Sequence, residues 1–217
     1  MFEHASPAFN LVRRHFVELD QFGLNGITVT FVFTTIFGLL GSWGLYKQIQ
    51  MVKKRGGQSV SVIWSISFMF MFASYYLYGL SAGKLAILMQ SFLRVPFYLI
   101  LLPLLYRANA GFSKKEWTLV IALTTSLIVS YWDIGKVFLG LSWLGAIIAA
   151  DQPYKIWKNR TRGSVSIELM ASFEASIIFW LAYAFVTHDG YIKAWAVVYF
   201  TVYTTTIIFY YLPRHRT

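Results

Sequence analysis

Two charged residues stand where this chain otherwise admits almost none. Arg94 lies in the run LMQSFLRVPFYLI and Glu174 in IELMASFEASIIF, each about ten residues into a long apolar stretch. At 1.5 Å per residue both sit roughly 15 Å deep, near the middle of a hydrocarbon layer about 30 Å thick. An ionised side chain at that depth costs at least about 2.5 to 3.5 kcal/mol, so it faces a bundle interior or an aqueous cavity and marks a functional position. Two kinds of chemistry follow. Arg94 and Glu174 form a structural ion pair, or Glu174 takes up a proton, its pKa raised by desolvation or lowered by Arg94, and couples that proton to solute movement.

Other residues could complete such a site. Asp151 is a candidate second proton-coupling acid, whereas Glu168, one turn into its segment, reads as a solvated acid favoured by the helix dipole. Gln90, one turn before Arg94, is a polar anchor for a solute. Trp195, Tyr199 and Tyr203 stand at i, i+4 and i+8 on one helix face, and with Tyr75 and Trp180 they supply candidate binding walls. The competing reading of each aromatic is plain packing or an interfacial belt. Cysteine is absent, and His4, His15, His188 and His215 all lie outside the apolar stretches. No buried Ser/His pair or metal cluster is visible, so neither an enzyme nor a metal or cofactor is expected. A retinal protein would need a lysine within the membrane, and Lys136 and Lys193 stand at segment ends.

The elements that must position these residues are apolar segments. Hydrophobic residues make up 57% of the 217-residue chain and charged residues 13%, about half the ~25% of a soluble domain. Seven stretches have the length of a span: 26–50, 59–80, 85–106, 117–134, 137–157, 164–186 and 191–212. The net charge of +10 is carried by the short loops between them, so nucleic acid is not an expected partner and membrane lipid is. Lys53, Lys54, Arg55, Arg107, Lys114, Lys115, Lys155, Lys158, Arg160, Arg162, Arg214 and Arg216 fall on one side; Arg13, Arg14, Lys84, Lys136 and Lys193 fall on the other. The positive-inside rule puts the N-terminus outside or in a lumen and the C-terminus in the cytosol. Ahead of the first span, residues 1–25 carry Phe9, Val12, Phe16 and Leu19 at helical spacing, which predicts an amphipathic interfacial helix or an ordered cap without lipid contact.

The chain also repeats itself. Displacing it by 105 residues lays KKRGGQSVSVIWSISF on KNRTRGSVSIELMASF, so that Lys53, Arg55, Ser59, Val60, Ser61, Ser67 and Phe68 recur as Lys158, Arg160, Ser164, Val165, Ser166, Ser172 and Phe173. Tyr78 recurs as Tyr183, and Ser59 and Ser164 are candidate helix N-caps. A three-helix unit ends on the side opposite its start, so a second unit in the same orientation needs one extra crossing. The expected fold is an all-α membrane protein with two parallel three-helix repeats joined by a linker helix: an N-terminal segment 1–25, a first repeat 26–106, a linker 107–135, and a second repeat with tail 136–217. The charges break this symmetry, because Glu174 matches Met69 and Arg94 matches Tyr199.

These features resemble the PQ-loop and SWEET superfamily of seven-helix transporters. Its motif is Pro-Gln near the cytosolic end of each repeat's first helix, then a basic loop and a Ser-containing helix start. Pro153 stands at the proline position with Tyr154 in place of glutamine; Gln48 matches the glutamine in the first copy, with Lys47 in place of proline. The resemblance implies alternating access by a carrier of a small polar solute, with gates at Gln48 and Pro153 and a titratable acid at the depth of Glu174, as in the family's proton-coupled amino-acid exporters. It equally admits an uncoupled sugar-type carrier and a ligand- or peptide-sorting receptor of the same fold. The sugar branch's four-proline hinge set and pocket asparagines are missing. Pro153, lacking an amide proton, is expected to kink or weaken its helix, as a moving hinge or as a static bend.

Overall fold

The computed structural model describes residues 7–56, 60–130, 132–159 and 167–212, and all regular structure among them is helical. Two short helices, α1 (Pro7–His15) and α2 (Val17–Asp20), precede seven longer ones. These are α3 (Gly26–Arg55), α4 (Val62–Ser81), α5 (Leu85–Ala108), α6 (Lys114–Val129), α7 (Ile134–Asn159), α8 (Ile167–Val186) and α9 (Gly190–Tyr211). Gly26–Lys54, Val62–Ser81, Leu85–Ala108 and Gly190–Tyr211 are long and apolar enough to cross a membrane; α7 and α8 carry shorter apolar stretches, Ile134–Ala150 and Phe173–Val186, among the described residues. Large apolar side chains such as Ile121, Ile128 and Ile147 are exposed, Ile147 to 70%. A helix apolar on its outer face as well as its inner one suits a hydrocarbon solvent, and these helices fit an integral membrane protein.

The helix boundaries depart from the expected spans where local chemistry decides them. Ser61, not Ser59, caps α4, its hydroxyl accepting from the Trp64 amide at 3.2 Å; Ser59 and Ser164 lie outside the described residues. The segment expected over 117–134 is the 16-residue α6, started by a Ser113–Glu116 capping box and ended at Val129. At 1.5 Å per residue it is about 24 Å long, short of a full hydrocarbon crossing. Asp133 accepts from the Lys136 amide at 3.0 Å and pairs with its ammonium at 2.8 Å at the start of α7. The N-terminal amphipathic helix is broken at Phe16, whose backbone is extended (φ −102°, ψ 123°). Phe16 and Glu18 turn inward and are buried, while Leu11 stays 74% exposed.

Helix packing carries the repeat into three dimensions. The bounds of α8 lie 105 residues beyond those of α4 at both ends, and α9 starts 105 residues beyond α5. Helix α5 packs against both α3 and α4, and α9 against both α7 and α8. Between these groups α3 packs on α8 and α4 on α7. Directions follow from the contacts. Gln90 reaches Thr34, and Ser42 reaches Leu93, so α3 and α5 run the same way. Tyr78 stacks on Phe138 while a Cβ at Gly145 on α7 would stand 2.9 Å from Met71 Sδ on α4, and Phe173 stacks on Tyr203 while Trp180 meets Trp195; α4 is therefore antiparallel to α7, and α8 to α9.

Buried hydroxyls are absorbed by the helices that carry them. Ser74 donates to Met71 O at 2.7 Å, Ser142 to Phe138 O at 2.7 Å, and Thr206 to Val202 O at 2.7 Å. Such local bonds let polar residues enter an interior without water. The α4–α5 hairpin is close-packed around Gly79, where a Cβ would stand 2.6 Å from the Leu88 nitrogen. Gly79→Ala is expected to destabilise the protein by about 2 kcal/mol, read as a lowered thermal midpoint in detergent. Gly44→Ala, where a Cβ meets nothing within 4 Å, is expected to leave the midpoint unchanged or raise it.

Candidate functional site

The two central helices supply the interior. On α5, Gln90, Arg94 and Tyr98 stand one turn apart, and a displacement of 105 residues lays them on Trp195, Tyr199 and Tyr203 of α9. Each group needs space on the helix it faces, and small residues provide it. A Cβ at Gly38 would meet Gln90 Nε2 at 2.5 Å, one at Gly41 would meet Arg94 Nη2 at 2.6 Å, and one at Gly145 would meet the Tyr199 hydroxyl at 2.5 Å. Glycines on α3 and α7 thus admit the long side chains of α5 and α9.

Aromatic rings join these positions into one wall. Trp195 meets Tyr75 and Trp180 edge-on, with centroids 5.6 and 5.4 Å apart, and leads through Tyr199 (5.8 Å) to Tyr203 and on to Phe173. Tyr75 accepts from Ser142 at 3.3 Å. All five aromatics expected from the sequence fall in this cluster, together with Phe138 and Phe72. Tyr98, which stacks with Phe72, was not foreseen; its correspondence to Tyr203 in the repeat is the signal that would have found it.

Polar atoms in this interior are incompletely satisfied. Gln90 donates to Thr34 O at 2.7 Å while its Oε1 is buried with no partner among the described residues, and the same holds for Trp195 Nε1. These two orphans occupy corresponding positions of the repeat. Glu174 accepts from the Thr204 hydroxyl at 2.5 Å through one oxygen, and its other oxygen is buried without a partner. Buried polar atoms are ordinarily bonded, so these atoms keep hydrogen-bonding capacity that no described residue uses.

Arg94 and Glu174 do not form an ion pair. The guanidinium lies over the Phe72 ring, 4.8 Å from its centroid, and the pair Asp133–Lys136 is the only salt bridge among the described residues. Thr204, the partner of Glu174, stands five residues beyond Tyr199, the repeat counterpart of Arg94. Tyr203 lies within electrostatic reach of both charges.

The remaining candidates lie toward the ends of α3 and α7 that carry the basic loops. Gln48 is part-buried on α3; Pro153 is buried at the corresponding position of α7, which continues through it to Asn159. The proline therefore does not end its helix; it removes one amide from the ladder inside it. The side chains of Asp151 and Glu168 lie outside the described residues. Two prolines that composition did not single out, Pro96 and Pro103, stand inside α5.

The opposite end is closed by hydrogen bonds that sequence reasoning missed. Tyr78 on α4 donates to Asp189 at 2.7 Å, and Asp189 also caps α9 by accepting from the Ile192 amide at 3.0 Å. Tyr183 on α8, the repeat counterpart of Tyr78, donates to Glu18. The recurrence of the two tyrosines was visible in the sequence, but their acidic partners lie 111 and 165 residues away.

No family model, curated protein or solved structure matches the chain. Its assignment therefore rests on the interior just described. Tyr78→Phe keeps the ring and leaves a buried carboxylate oxygen of Asp189 unpaired. It is expected to cost about 1 to 3 kcal/mol, seen as a lower thermal midpoint, whereas Tyr76→Phe at an exposed position should not shift it.

Proposed function

We propose that this protein is an integral membrane carrier that moves a small polar solute by alternating access, with Glu174 as the site of proton coupling. In this reading α3 to α5 and α7 to α9 are two parallel three-helix repeats, the 16-residue α6 with the turns at its ends makes the crossing that lets them share one orientation, and the N-terminus lies outside or in a lumen. The observation that carries the proposal is the Glu174 carboxylate, held by Thr204 through one oxygen and buried without a partner at the other. A carboxyl group in an apolar layer is costly to ionise and costly to leave unpaired, so its charge is expected to change with what occupies the interior. The resemblance to PQ-loop and SWEET transporters, carried by the repeat and by Gln48 and Pro153, supports the same reading.

The solute would bind among Gln90, Arg94, Tyr75, Trp180, Trp195, Tyr199 and Tyr203. Gln90 Oε1 offers an acceptor, Trp195 Nε1 a donor, and Arg94 a cation that no described acid neutralises. A polar molecule with complementary groups fits such a lining better than an apolar one. Movement would part the two repeats at one end while they close at the other.

Purified protein in proteoliposomes tests this. A thermal-shift screen over amino acids, sugars, nucleosides and vitamins first selects a solute, and its uptake is then measured with and without a pH gradient. Glu174→Gln is expected to abolish gradient-driven accumulation, by tenfold or more, and to leave solute exchange intact. Accumulation retained in that variant removes Glu174 from coupling; uptake that ignores the gradient in the unmodified protein identifies an uncoupled carrier. Binding without movement of any solute identifies a receptor.

A further inference from the structure

The carrier reading leaves the N-terminal segment without a role, yet it holds the most completely buried acid among the described residues. Glu18 has no exposed surface. Its carboxylate accepts from the amides of Leu85 at 2.9 Å and Ala86 at 2.8 Å in the first turn of α5, and from the Tyr183 hydroxyl on α8. Helix α5 has Lys84 at its cap position and no side-chain cap of its own. Glu18 supplies that cap from another element, with the sign of charge a helix N-terminus favours.

The second repeat does the same job internally. Asp189 caps α9 and accepts from Tyr78. The residue that corresponds to Asp189 in the first repeat is Lys84, whose ammonium donates to Thr187 O at 3.4 Å and cannot accept. The first repeat therefore lacks the acid, and the N-terminal segment provides it. Two tyrosine–carboxylate bonds result, Tyr78–Asp189 and Tyr183–Glu18, each tying a helix of one three-helix group to the other group at the same end.

The segment is seated for this. The Val17 amide donates to Gly83 O at 3.1 Å, and His15 Nε2 lies 2.7 Å from Leu80 O. Gly83 has φ +62°, and a Cβ there would collide with the His15 carbonyl, so the turn between α4 and α5 is shaped to receive the segment.

The geometry points to residues 7–21 as a built-in clasp: Glu18 joins α5 to α8 and holds that end of the two helix groups closed. Parting the groups there must break both tyrosine bonds. Asp189 is fixed within the α8–α9 turn, whereas Glu18 sits on a segment ahead of the repeats that can lift away as a unit. Withdrawal of the clasp removes one of the two bonds and the cap of α5 together, and so sets how readily that end opens. A hydrogen bond to a buried charge changes such an equilibrium by roughly tenfold or more.

Because the chain has no cysteine, one introduced thiol reports the opening. Ser142→Cys is a small change on α7 at the hydroxyl that contacts Tyr75, beneath the Tyr78–Phe138 stack. Sealed vesicles of both orientations are treated with a membrane-impermeant maleimide. Labelling from the α1–α2 side is expected to accelerate about tenfold in Glu18→Ala and in Tyr183→Phe, with the double variant no faster than the faster single. An unchanged rate in both single variants overturns the clasp, as does equal acceleration from the two sides, which would mean general loosening. If Glu18→Ala does not fold, Tyr183→Phe alone decides between these outcomes. The rate needs no solute, so the result stands whether or not the protein proves to be a carrier.

Discussion

A polar group inside this protein must find its partner within the protein. The constraint explains why the described residues are helical, since a helix bonds its own backbone and leaves only its ends to be satisfied. It explains the serines and threonines bonded back to carbonyls of the preceding turn. It also explains how the helix starts are distributed: Asn25, Ser61, Ser113 and Asp189 cap their own helices, and Glu18 caps α5 from a distance. Among the described residues the buried side-chain atoms left without a partner are Ser67 Oγ, Gln90 Oε1, Glu174 Oε2 and Trp195 Nε1.

The repeat distributes work unevenly. Packing is shared: each group sandwiches its third helix between the first two, and corresponding tyrosines make corresponding bonds. Charge is shared in the basic loops, where Lys53 and Arg55 recur as Lys158 and Arg160, but not within the helices or at the start of the third. Arg94 answers to Tyr199, Glu174 to Met69, and Lys84 to Asp189. Symmetric residues therefore maintain the body, and asymmetric ones mark where the two halves differ chemically. The exchange of Lys84 for Asp189 shows the cost of such divergence, because the missing acid had to be supplied by chain outside the repeat.

Much of this was legible in the sequence, and the reason is periodicity. Runs of apolar residues bounded by basic loops located α3 to α5 and α7 to α9 within a few residues, and the displacement of 105 is kept by the helix bounds themselves. The aromatic wall followed from spacing on α9 and from the pairing of Tyr75 with Trp180. What escaped was tertiary. The spacing of Phe9, Val12, Phe16 and Leu19 reads as one amphipathic helix, but burying Glu18 against the start of α5 requires the break at Phe16. Of the two readings open for Arg94 and Glu174, the ion pair does not form: Glu174 bonds to Thr204 on α9, and Arg94 finds a ring rather than an acid.

At the α1–α2 end the groups are joined by side-chain bonds to buried carboxylates, which are strong, few and broken together. Toward the basic loops stands Pro153, a point where the helix ladder is already missing one amide. In the alternating-access cycle proposed above, hydrogen bonds would hold the α1–α2 end, and the ionisation of Glu174, with what it binds, would bias the opening of the other.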